Sequence, residues 1–453
     1  MDKRIVIVGA GVAGINAATK LVDNGYPGYL ITIIDKGNDP INRLPEEVMT
    51  GMLGAGGWSD GKLTYHTAIG GQLSKYCGEE KAMELMDQVI SNFRRFHPKP
   101  EEIFMSDPQE EPEFIKPYFG LRMFPVWHIG SNFLHEIAKT WYQYLLDKGV
   151  KFAWNTEIDE IDFKGQMVIG KQGKTAMLPY DELIFAVGKS GIDFAQQLAD
   201  DYKLPNEPKS VQIGVRFEAP QKYFQKLINV SYDFKLYQKF DNVSLRSFCT
   251  NNNAAYVAVE ETYGDISYNG HAKKGKEFEN QMTNFGILME IKGIEDPFKW
   301  SRKLVSDIQF DEINADQRIH TGLFYSPRYT RKPGLTSEGT TVSAYPISID
   351  TLAHVVQPAF DGYFGYIMNF ISDMNKVFEF GDDWGMYIPE VKYLSPEPLV
   401  NYHDLSLSQF PNVHFVGDAL SARGITVAGA QGIYVAESLI RKEALIELMN
   451  MGE

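Results

Sequence analysis

The sequence predicts an α/β fold in which a Rossmann-like dinucleotide-binding domain carries an inserted β-meander and is joined to a second, mixed-sheet domain. Three observations predict this fold. A strand–turn–helix–strand pattern opens the chain, and a short strand ending in Gly-Asp before a long helix closes it. The stretch between them is rich in β-branched and aromatic residues. With 453 residues, the chain exceeds one ordinary core, so two domains are expected.

The composition excludes several classes of protein. A net charge of -15 disfavours nucleic acid as a partner and gives no support to docking on anionic lipid. No apolar run approaches the length of a membrane span. Two cysteines, Cys77 and Cys249, exclude a disulfide framework and are expected to be reduced thiols. Because no secretory signal pattern precedes "RIVIVGAG", a cytoplasmic location is predicted.

The amino-terminal segment has the spacing of a dinucleotide-binding turn. Residues 4–8, "RIVIV", are dominated by β-branched residues, which predicts a buried parallel strand. Gly9, Gly11 and Gly14 follow with GxGxxG spacing. The first permits a tight turn, the second leaves bare backbone for a pyrophosphate, and the third lets the helix pack closely on the strand. The helix that follows directs its amino terminus at the phosphates, where its N–H groups favour an anion.

Asp35 closes the second predicted strand, "LITIID". A carboxylate at this strand end accepts hydrogen bonds from the ribose hydroxyls of an adenosine, and it would repel a 2′-phosphate, so NADP is disfavoured here. Ala13 and Lys36, which neighbour these positions, complete the predicted contacts of this half. The pattern fits NAD and FAD equally, because both contain ADP.

The carboxy-terminal segment favours FAD. "FPNVHFVGDALSARGITVAGAQGIYVAESLI" is a short strand ending in Gly417 and Asp418, followed by a helix. It resembles the end of FAD enzymes of the glutathione-reductase type, whereas NAD dehydrogenases do not need this ending. The resemblance implies that Asp418 lies by the ribityl–phosphate part of a non-covalent FAD. It also implies a group near the pyrimidine end of the flavin ring, namely Gly424, Ile425 and Thr426.

A third segment supports the same cofactor. Residues 149–191 are predicted to form a strand, a small β-meander and a buried strand, "ELIFAVG". Flavin domains of this type insert such a meander between their halves. Ile158, Ala186 and Gly188 are the predicted cofactor contacts. Because Gly188 and Gly191 lack GxGxxG spacing, no second nucleotide-binding domain is predicted.

The loop "GAGGWSDGKLT", residues 54–64, is predicted to run along the pyrophosphate towards the flavin ring. Glycines allow close backbone approach, and consecutive N–H groups can bind an anion. A surface linker is the alternative, but a linker would not lie between the two halves of a cofactor fold. Lys62 is a candidate catalytic cation that would stabilise reduced, anionic flavin or carry a proton. The cofactor contacts predicted from this loop are Gly56, Gly57, Ser59, Asp60, Gly61 and Lys62.

The loop strongly resembles the GGAGxxSDGKL motif of a group of uncharacterised FAD-dependent dehydrogenases. "VWHIGSNFL", "LIFAVGKSGIDFAQQL" and "VQIGVRFEAP" resemble further segments of that group, in the same order along the chain. The group shares its fold with geranylgeranyl reductases and p-hydroxybenzoate-hydroxylase-like flavoproteins. The chain departs from the group where the substrate should bind: only Cys249 of a cysteine pair is present, and Lys189 and Ser190 replace a His-Ser pair.

Several residues between the motifs are candidates for chemistry. His128 is a candidate acid or base, although a histidine at a helix entry without a catalytic role fits equally well. Arg216 and Arg246 lie in or beside apolar strands, where an arginine binds a substrate anion or pairs with an acid at the sheet edge. Residues 325–346 are a candidate lid, and Arg328, Arg331 and Lys332 make it locally basic, which suggests an anionic substrate or NAD(P)H.

These interpretations predict an FAD-dependent oxidoreductase that transfers a hydride between flavin N5 and a small organic substrate, with NAD(P)H as a candidate transient reductant. The alternatives are an NAD(P)H-dependent flavin monooxygenase and a non-catalytic binding protein on the same fold. No metal site is predicted. The predicted divisions are an FAD-binding domain in three parts (1–75, 126–195 and 395–453), an insertion of the substrate lobe (76–125), and a substrate domain (196–394).

Overall fold

A computed structural model of the chain describes residues 3–44, 47–172, 174–207, 210–262, 265–308, 310–314, 317–327, 344–393 and 397–450. Two hydrophobic cores organise these residues. One lies around a parallel sheet built from the two ends of the chain, and the other lies on a large, mainly antiparallel sheet formed by the middle. The predicted α/β class is confirmed.

The first domain is built on a six-stranded sheet. In spatial order its strands are Ser406–Leu407, Phe410–Phe415, Glu182–Phe185, Ile5–Val8, Ile31–Ile34 and Lys151–Ala153. All neighbouring pairs are parallel except the first. Since parallel strands align their carboxyl ends, the GxGxxG turn after Ile5–Val8 and the Gly-Asp pair after Phe410–Phe415 meet at one edge. This is the edge at which open α/β sheets bind ligands.

Helices cover this sheet. They are Val12–Asp23, Leu73–Cys77, Glu79–Phe96, Leu134–Asp147, Ile192–Asp201 and Ile425–Asn450. The first and last helices touch closely, because a Cβ atom on Gly432 would stand 2.0 Å from the Ala13 carbonyl oxygen. The described residues include no helix that is both long enough and apolar enough to cross a membrane.

The predicted meander is present as three antiparallel strands, Glu157–Asp162, Met167–Gln172 and Lys174–Pro179. It follows the strand Lys151–Ala153 and precedes the strand Glu182–Phe185. Its first strand begins beside the ligand-binding edge of the parallel sheet, which brings Thr156, Glu157 and Ile158 to the same cavity as the GxGxxG turn.

The second domain is a nine-stranded sheet. Eight strands lie in the spatial order Phe310–Asn314, Gln317–Tyr325, Gly385–Lys392, Val211–Pro220, Met282–Ile291, Val243–Asn253, Lys235–Lys239 and Gly120–Arg122. The ninth, Ala344–Ile347, pairs in parallel with Gln317–Tyr325, so the sheet is mixed. The helices of this domain are Gln225–Ile228, Pro297–Ile308, Ile349–Thr351, Gln357–Ala359 and Phe364–Phe378.

Three smaller sheets complete the fold. The strands Ala255–Thr262 and Asp265–Ala272 form a hairpin. Lys62–Thr64 and Phe104–Ser106 pair on either side of Val126–His128. The two-residue strands Asn206–Glu207 and Glu397–Pro398 pair with each other.

The segment 76–125 is divided between the two cores. Helix Glu79–Phe96 has an apolar stripe whose buried side chains, including Leu85 and Phe93, lie in the first core. Ile115, Phe119 and Leu121 lie in the second core. The prediction assigned the whole segment to the substrate lobe. The structure differs because the stripe of this helix is buried against the carboxy-terminal helix of the first domain.

Candidate functional site

A cavity of about 1060 Å³ lies between the two domains. Both ends of the chain contribute to its wall, together with the glycine loop, the start of the meander and one face of the second sheet. Drug-sized ligands fill pockets of roughly 300–1,000 Å³. The cavity is therefore large enough for an extended dinucleotide and leaves a second end facing the substrate domain.

The three glycines of the amino-terminal turn have different surroundings. A Cβ atom on Gly9, whose φ is +109°, would stand 2.4 Å from the Ala186 carbonyl oxygen. At Gly14 a Cβ atom would meet the Gly9 carbonyl oxygen at 2.2 Å, so this glycine serves helix–strand packing and does not line the cavity. Gly11 lines the cavity, and a Cβ atom there would meet nothing within 4 Å. Gly11 is therefore the glycine whose bare backbone faces open space.

Asp35 connects three chain segments at the end of the strand Ile31–Ile34. Its Oδ2 accepts the N–H of Ala10 at 2.8 Å, and its Oδ1 accepts the N–H groups of Gly37 and Gly51, each at 2.8 Å. An ionised carboxylate has about four acceptor positions. Asp35 lines the cavity and keeps acceptor capacity for a ribose hydroxyl while it organises the turn.

Replacing Asp35 by alanine should lower the stability of the FAD-free protein. Three backbone donors lose a charged acceptor, which costs about 1.5–3 kcal/mol of unfolding free energy. FAD affinity should fall as well. Lys36→Ala is the matched control, because exposed Lys36 makes one hydrogen bond, to the Ser190 carbonyl oxygen. Denaturant unfolding of both variants checks this, and equal stability of Asp35→Ala and wild type would contradict it.

Arg43 shapes the loop that follows the second strand. Its buried guanidinium donates to the carbonyl oxygens of Glu47, Met52 and Gly54 at 3.0, 2.6 and 3.0 Å. Burial lowers the pKa of Arg43 to about 10, which leaves it charged at neutral pH. Trp58 lies 5.6 Å from the guanidinium, measured to the ring centroid. Trp58 therefore packs on this arginine.

Two glycines of the loop do not line the cavity. A Cβ atom on Gly57 would stand 3.0 Å from the Met52 carbonyl oxygen, so Gly57 allows the loop to close around Arg43. Gly61 has φ of +66° and packs on the backbone of Gly130. Gly56 lines the cavity, but its Cβ direction points at Val12, 2.5 Å from a methyl carbon.

Lys62 is buried in an ionic cluster at the wall of the cavity. Its Nζ lies 2.9 Å from Asp60 Oδ2 and 3.9 Å from Asp233 Oδ1, and it donates to the Thr250 carbonyl oxygen at 2.5 Å. Burial alone lowers the pKa of Lys62, but the two carboxylates reverse this and raise it above its ordinary value. Lys62 is thus a permanent cation whose charge is largely compensated within the protein.

Cys249 belongs to the same cluster. Its Sγ donates to Asp60 Oδ2 at 3.0 Å, and burial, reinforced by the Asp60 carboxylate, raises the pKa of the thiol to about 11. Cys249 also has φ of +53° beside an irregularity in its strand. Both Cys249 and Cys77 are free thiols, and Cys249 lines the cavity as a neutral hydrogen-bond donor.

Asp233 should make the folded state sensitive to acid. Although burial opposes it, Lys235, Lys62 and the Thr250 N–H lower the pKa of Asp233 from 3.8 to about 2. Because the folded value is depressed, its contribution to stability is present above pH 3.8 and is lost as the pH falls towards about 2. Thermal unfolding over this range should be less pH-dependent in Asp233→Asn than in wild type. Exposed Asp241→Asn is the control, and a wild-type slope in Asp233→Asn would contradict the assignment.

His128 is buried beside the cluster and does not line the cavity. It stacks on Phe104 at a centroid distance of 4.5 Å, and its Nε2 is 2.8 Å from Ser106 Oγ. Burial, together with the cations Lys62 and Lys274, lowers the pKa of His128 to about 3. The geometry therefore makes His128 a neutral packing residue behind Lys62, which does not favour the predicted acid or base role.

The carboxy-terminal motif reaches the cavity as predicted from the order of its elements. Strand Phe410–Phe415 is followed by Gly417, with φ of +71°, and by Asp418, which accepts a hydrogen bond from Arg423 at 2.7 Å. The helix that begins at Ile425 points its amino terminus at the cavity. Its second residue, Thr426, has a buried Oγ1 with no hydrogen-bond partner among the described residues.

The two arginine candidates of the middle segment have different environments. Arg216 is buried and outside the cavity, where it donates to Asn284 Oδ1 at 2.7 Å and lies 3.5 Å from Glu390. Arg216 therefore pairs with an acid, which is the second of the two roles predicted for these arginines. Arg246 is exposed, lines the cavity and donates to Gln212 Oε1 at 3.1 Å. Of the candidate lid, Arg328, Arg331 and Lys332 lie outside the described residues.

Most of the predicted cofactor contacts come together. Those that line the cavity are Gly9, Gly11, Ala13, Asp35, Lys36, Gly56, Ser59, Asp60, Lys62, Ile158, Ala186, Gly188, Gly417, Asp418, Gly424, Ile425 and Thr426. Gly14, Gly57 and Gly61 do not line it, because each is used to pack chain against chain.

Several residues of the site had no sequence interpretation. Gly70 and Gly71 have φ of +86° and +140° and pack against Gly424 and Ala422, and the Gly-Gly pair was a signal for them. Lys189 is buried and lies 3.1 Å from Glu260, and both line the cavity. No local pattern reveals this pair, since its members come from different domains.

No family model matches the chain, and no curated protein matches it. Solved structures are similar to it at low identity. The flavin-dependent halogenase CmlS has a TM-score of 0.43 and 10% identity, over 96% of this chain and 57% of CmlS. A flavoprotein/dehydrogenase from Cytophaga hutchinsonii has 0.40 and 12%, over 97% and 79%. The halogenase PltM in complex with FAD has 0.42 and 12%, over 97% and 70%. At these values the similarities identify neither a cofactor nor a reaction for this chain.

Proposed function

We propose that this protein is an FAD-dependent oxidoreductase that transfers a hydride between flavin N5 and a small organic molecule. One observation carries the proposal. A single cavity is lined by the GxGxxG turn, the acid at the second strand end, the glycine loop and the carboxy-terminal Gly-Asp–helix unit. These four features are far apart in the sequence, and each has the chemistry that one part of FAD requires.

Features inside the cavity fit the cofactor. Gly11 offers open backbone where a pyrophosphate needs close approach, and Asp35 offers acceptor capacity for the adenosine ribose. Thr426 Oγ1 is buried at the start of a helix and has no partner in the part of the chain that the structure describes, so a polar edge of a ligand would satisfy it. We infer that Asp418 holds the ribityl–phosphate part and that Gly424, Ile425 and Thr426 face the flavin pyrimidine.

Bound FAD would supply hydride chemistry, and the chain supplies binding, orientation and charge. The helix that begins at Ile425 presents free N–H groups and the positive end of its dipole, which favour negative charge on the pyrimidine edge. Asp60 and Lys62 hold the glycine loop against the substrate domain through Thr250 and Cys249. Residues of the second sheet line the far end of the cavity, where a substrate would bind.

Stopped-flow reduction separates the candidate reactions. NADH and NADPH are each mixed with the FAD-loaded protein, with and without oxygen. A dehydrogenase should pass electrons from NAD(P)H to an artificial acceptor without oxygen and consume little oxygen in air. Oxygen uptake in step with NAD(P)H oxidation would favour the flavin monooxygenase instead. A protein that binds no flavin would favour the non-catalytic alternative. A cytoplasmic location and NAD(P)H as transient reductant stay parts of this proposal.

A further inference from the structure

One face of the second sheet turns four cations towards the cavity. Arg122, Lys235, Arg246 and Lys392 all line it, and we call this surface the basic face. In the register of neighbouring strands, Lys235 lies opposite Arg122, and Tyr237 lies opposite Arg246. Because Lys235 and Tyr237 are two residues apart on one strand, their partners lie on the same side of the sheet. The basic face is thus assembled from strands that are distant in the sequence.

Two members of the basic face have no carboxylate partner. Lys235 lies 3.5 Å from Asp233, and Lys392 lies 3.6 Å from Glu390. Within the described part of the chain, no ion pair involves Arg122 or Arg246, and both side chains belong to exposed residues. In a chain with 59 acidic and 44 basic residues, two cavity-lining guanidiniums that form no ion pair within the described residues are available for a ligand anion.

Neutral groups hold both guanidiniums in place. Arg122 lies over the Tyr237 ring, 5.2 Å from its centroid, and Tyr237 in turn packs on the bare backbone of Gly120. Arg246 donates to Gln212 Oε1 at 3.1 Å. Arg122 and Arg246 thus both lie beside Tyr237, where one bound anion could interact with both positive charges.

The same wall carries an apolar surface. Phe248 and Leu288 line the cavity beside Arg246, and Lys392 lies 5.1 Å from the Phe248 ring centroid. Glu290, an acid on this wall, accepts a hydrogen bond from Ser210 Oγ at 2.6 Å. Glu290 lies opposite Gln212 on the neighbouring strand, and it would repel an anion placed beside it. The favoured ligand therefore has an apolar body over Phe248 and an anionic end towards Arg122 and Arg246.

We propose that Arg122 and Arg246 bind the anionic group, a carboxylate or a phosphate, of the molecule that reacts in the cavity. This rests on the proposed function, because it assigns the other end of the same cavity to the substrate. A guanidinium matches the two oxygens of a carboxylate or phosphate and forms paired, charge-assisted hydrogen bonds with them. The anion source is either an organic acid substrate or the phosphates of a nicotinamide cofactor.

Calorimetric titration of the FAD-loaded protein tests the site. The probes are benzoate, phenyl phosphate and the neutral analogue benzyl alcohol. A second set is NAD+ and NADP+, which carry the phosphates of NADH and NADPH but cannot reduce FAD. We expect an anionic probe to bind and benzyl alcohol to bind at least about tenfold more weakly, as the loss of a charge-assisted hydrogen bond predicts. Arg122→Gln and Arg246→Gln should each lower that affinity by about 10- to 100-fold. Exposed Arg441→Gln is the matched control and should bind like wild type.

The outcomes separate the two anion sources. If the arginine variants lose affinity for benzoate or phenyl phosphate, the anion belongs to an organic acid substrate. If they lose affinity only for NAD+ and NADP+, it belongs to the nicotinamide cofactor. The proposal is overturned if benzyl alcohol binds as tightly as benzoate, if both arginine variants keep wild-type affinities, or if no anionic probe binds. Flavin content is measured on the same samples. A protein without flavin would count against the proposed function. The calorimetric titration does not depend on bound flavin, so it still tests whether the two arginines bind an anion.

Discussion

Gly11→Trp should yield a folded protein without flavin. Gly11 has φ of -67° and ψ of 177°, which any residue adopts, and a Cβ atom there meets no protein atom within 4 Å. The indole would therefore extend into the cavity, where the pyrophosphate of FAD is proposed to lie. We expect FAD affinity to fall by at least about 3 kcal/mol, since helix N–H groups and charge-assisted hydrogen bonds to the pyrophosphate are lost together. Visible absorbance of the purified variant checks this.

Gly14→Ala is the contrasting variant. Its added Cβ atom would stand 2.2 Å from the Gly9 carbonyl oxygen, so it should destabilise the fold instead of blocking the ligand. Thermal unfolding of both proteins without FAD distinguishes the two effects. If Gly11→Trp retained a full complement of FAD, the pyrophosphate would not lie on this turn.

Lys62→Met should cost about 3–5 kcal/mol of unfolding free energy, because it leaves Asp60 and Asp233 buried without their shared cation. The Thr250 carbonyl oxygen also loses its ammonium donor, which is a contact between the two domains. The double variant Lys62→Met with Asp60→Asn removes one stranded charge and should be more stable than the single variant. Denaturant unfolding of the single and double variants measures the difference.

Two results would contradict this account of the cluster. One is a loss of less than about 1 kcal/mol of unfolding free energy in Lys62→Met. The other is a double variant whose loss equals the sum of the losses caused by Lys62→Met and Asp60→Asn separately. The cluster also changes the expected redox effect. From the sequence, Lys62 was expected to stabilise reduced, anionic flavin as a single cation. In the structure two carboxylates compensate the charge of Lys62. A change in the midpoint potential of the flavin in Lys62→Met would therefore report the net charge of the cluster.

The sequence predicted the first domain well because its constraints are local. The GxGxxG turn, Asp35 and the Gly417-Asp418 pair each sit at a strand end whose position follows from a short pattern. The elements that carry them were therefore predicted in the correct order. The steric roles of individual glycines could not be predicted, because Gly57 and Gly61 belong to the same glycine-rich loop and differ only in the atoms they pack against.

Contacts between distant segments could not be predicted. Lys62 was identified, but its partner Asp233 comes from the second domain, where nothing in the local pattern distinguishes one acid from another. His128 was a candidate base until strand pairing placed it behind Lys62. Arg122 belongs to a three-residue strand whose membership in the second sheet depends on pairing with Lys235–Lys239.

The central claim is that the cavity between the domains binds FAD. The most direct measurement is the flavin released from the purified protein by denaturation, identified by chromatography and counted per chain, with calorimetric reconstitution of any cofactor-free fraction. The account predicts non-covalent FAD at one equivalent per chain, and reconstitution that Gly11→Trp abolishes. A purified protein that contains no flavin and shows no heat of binding with FAD would contradict it.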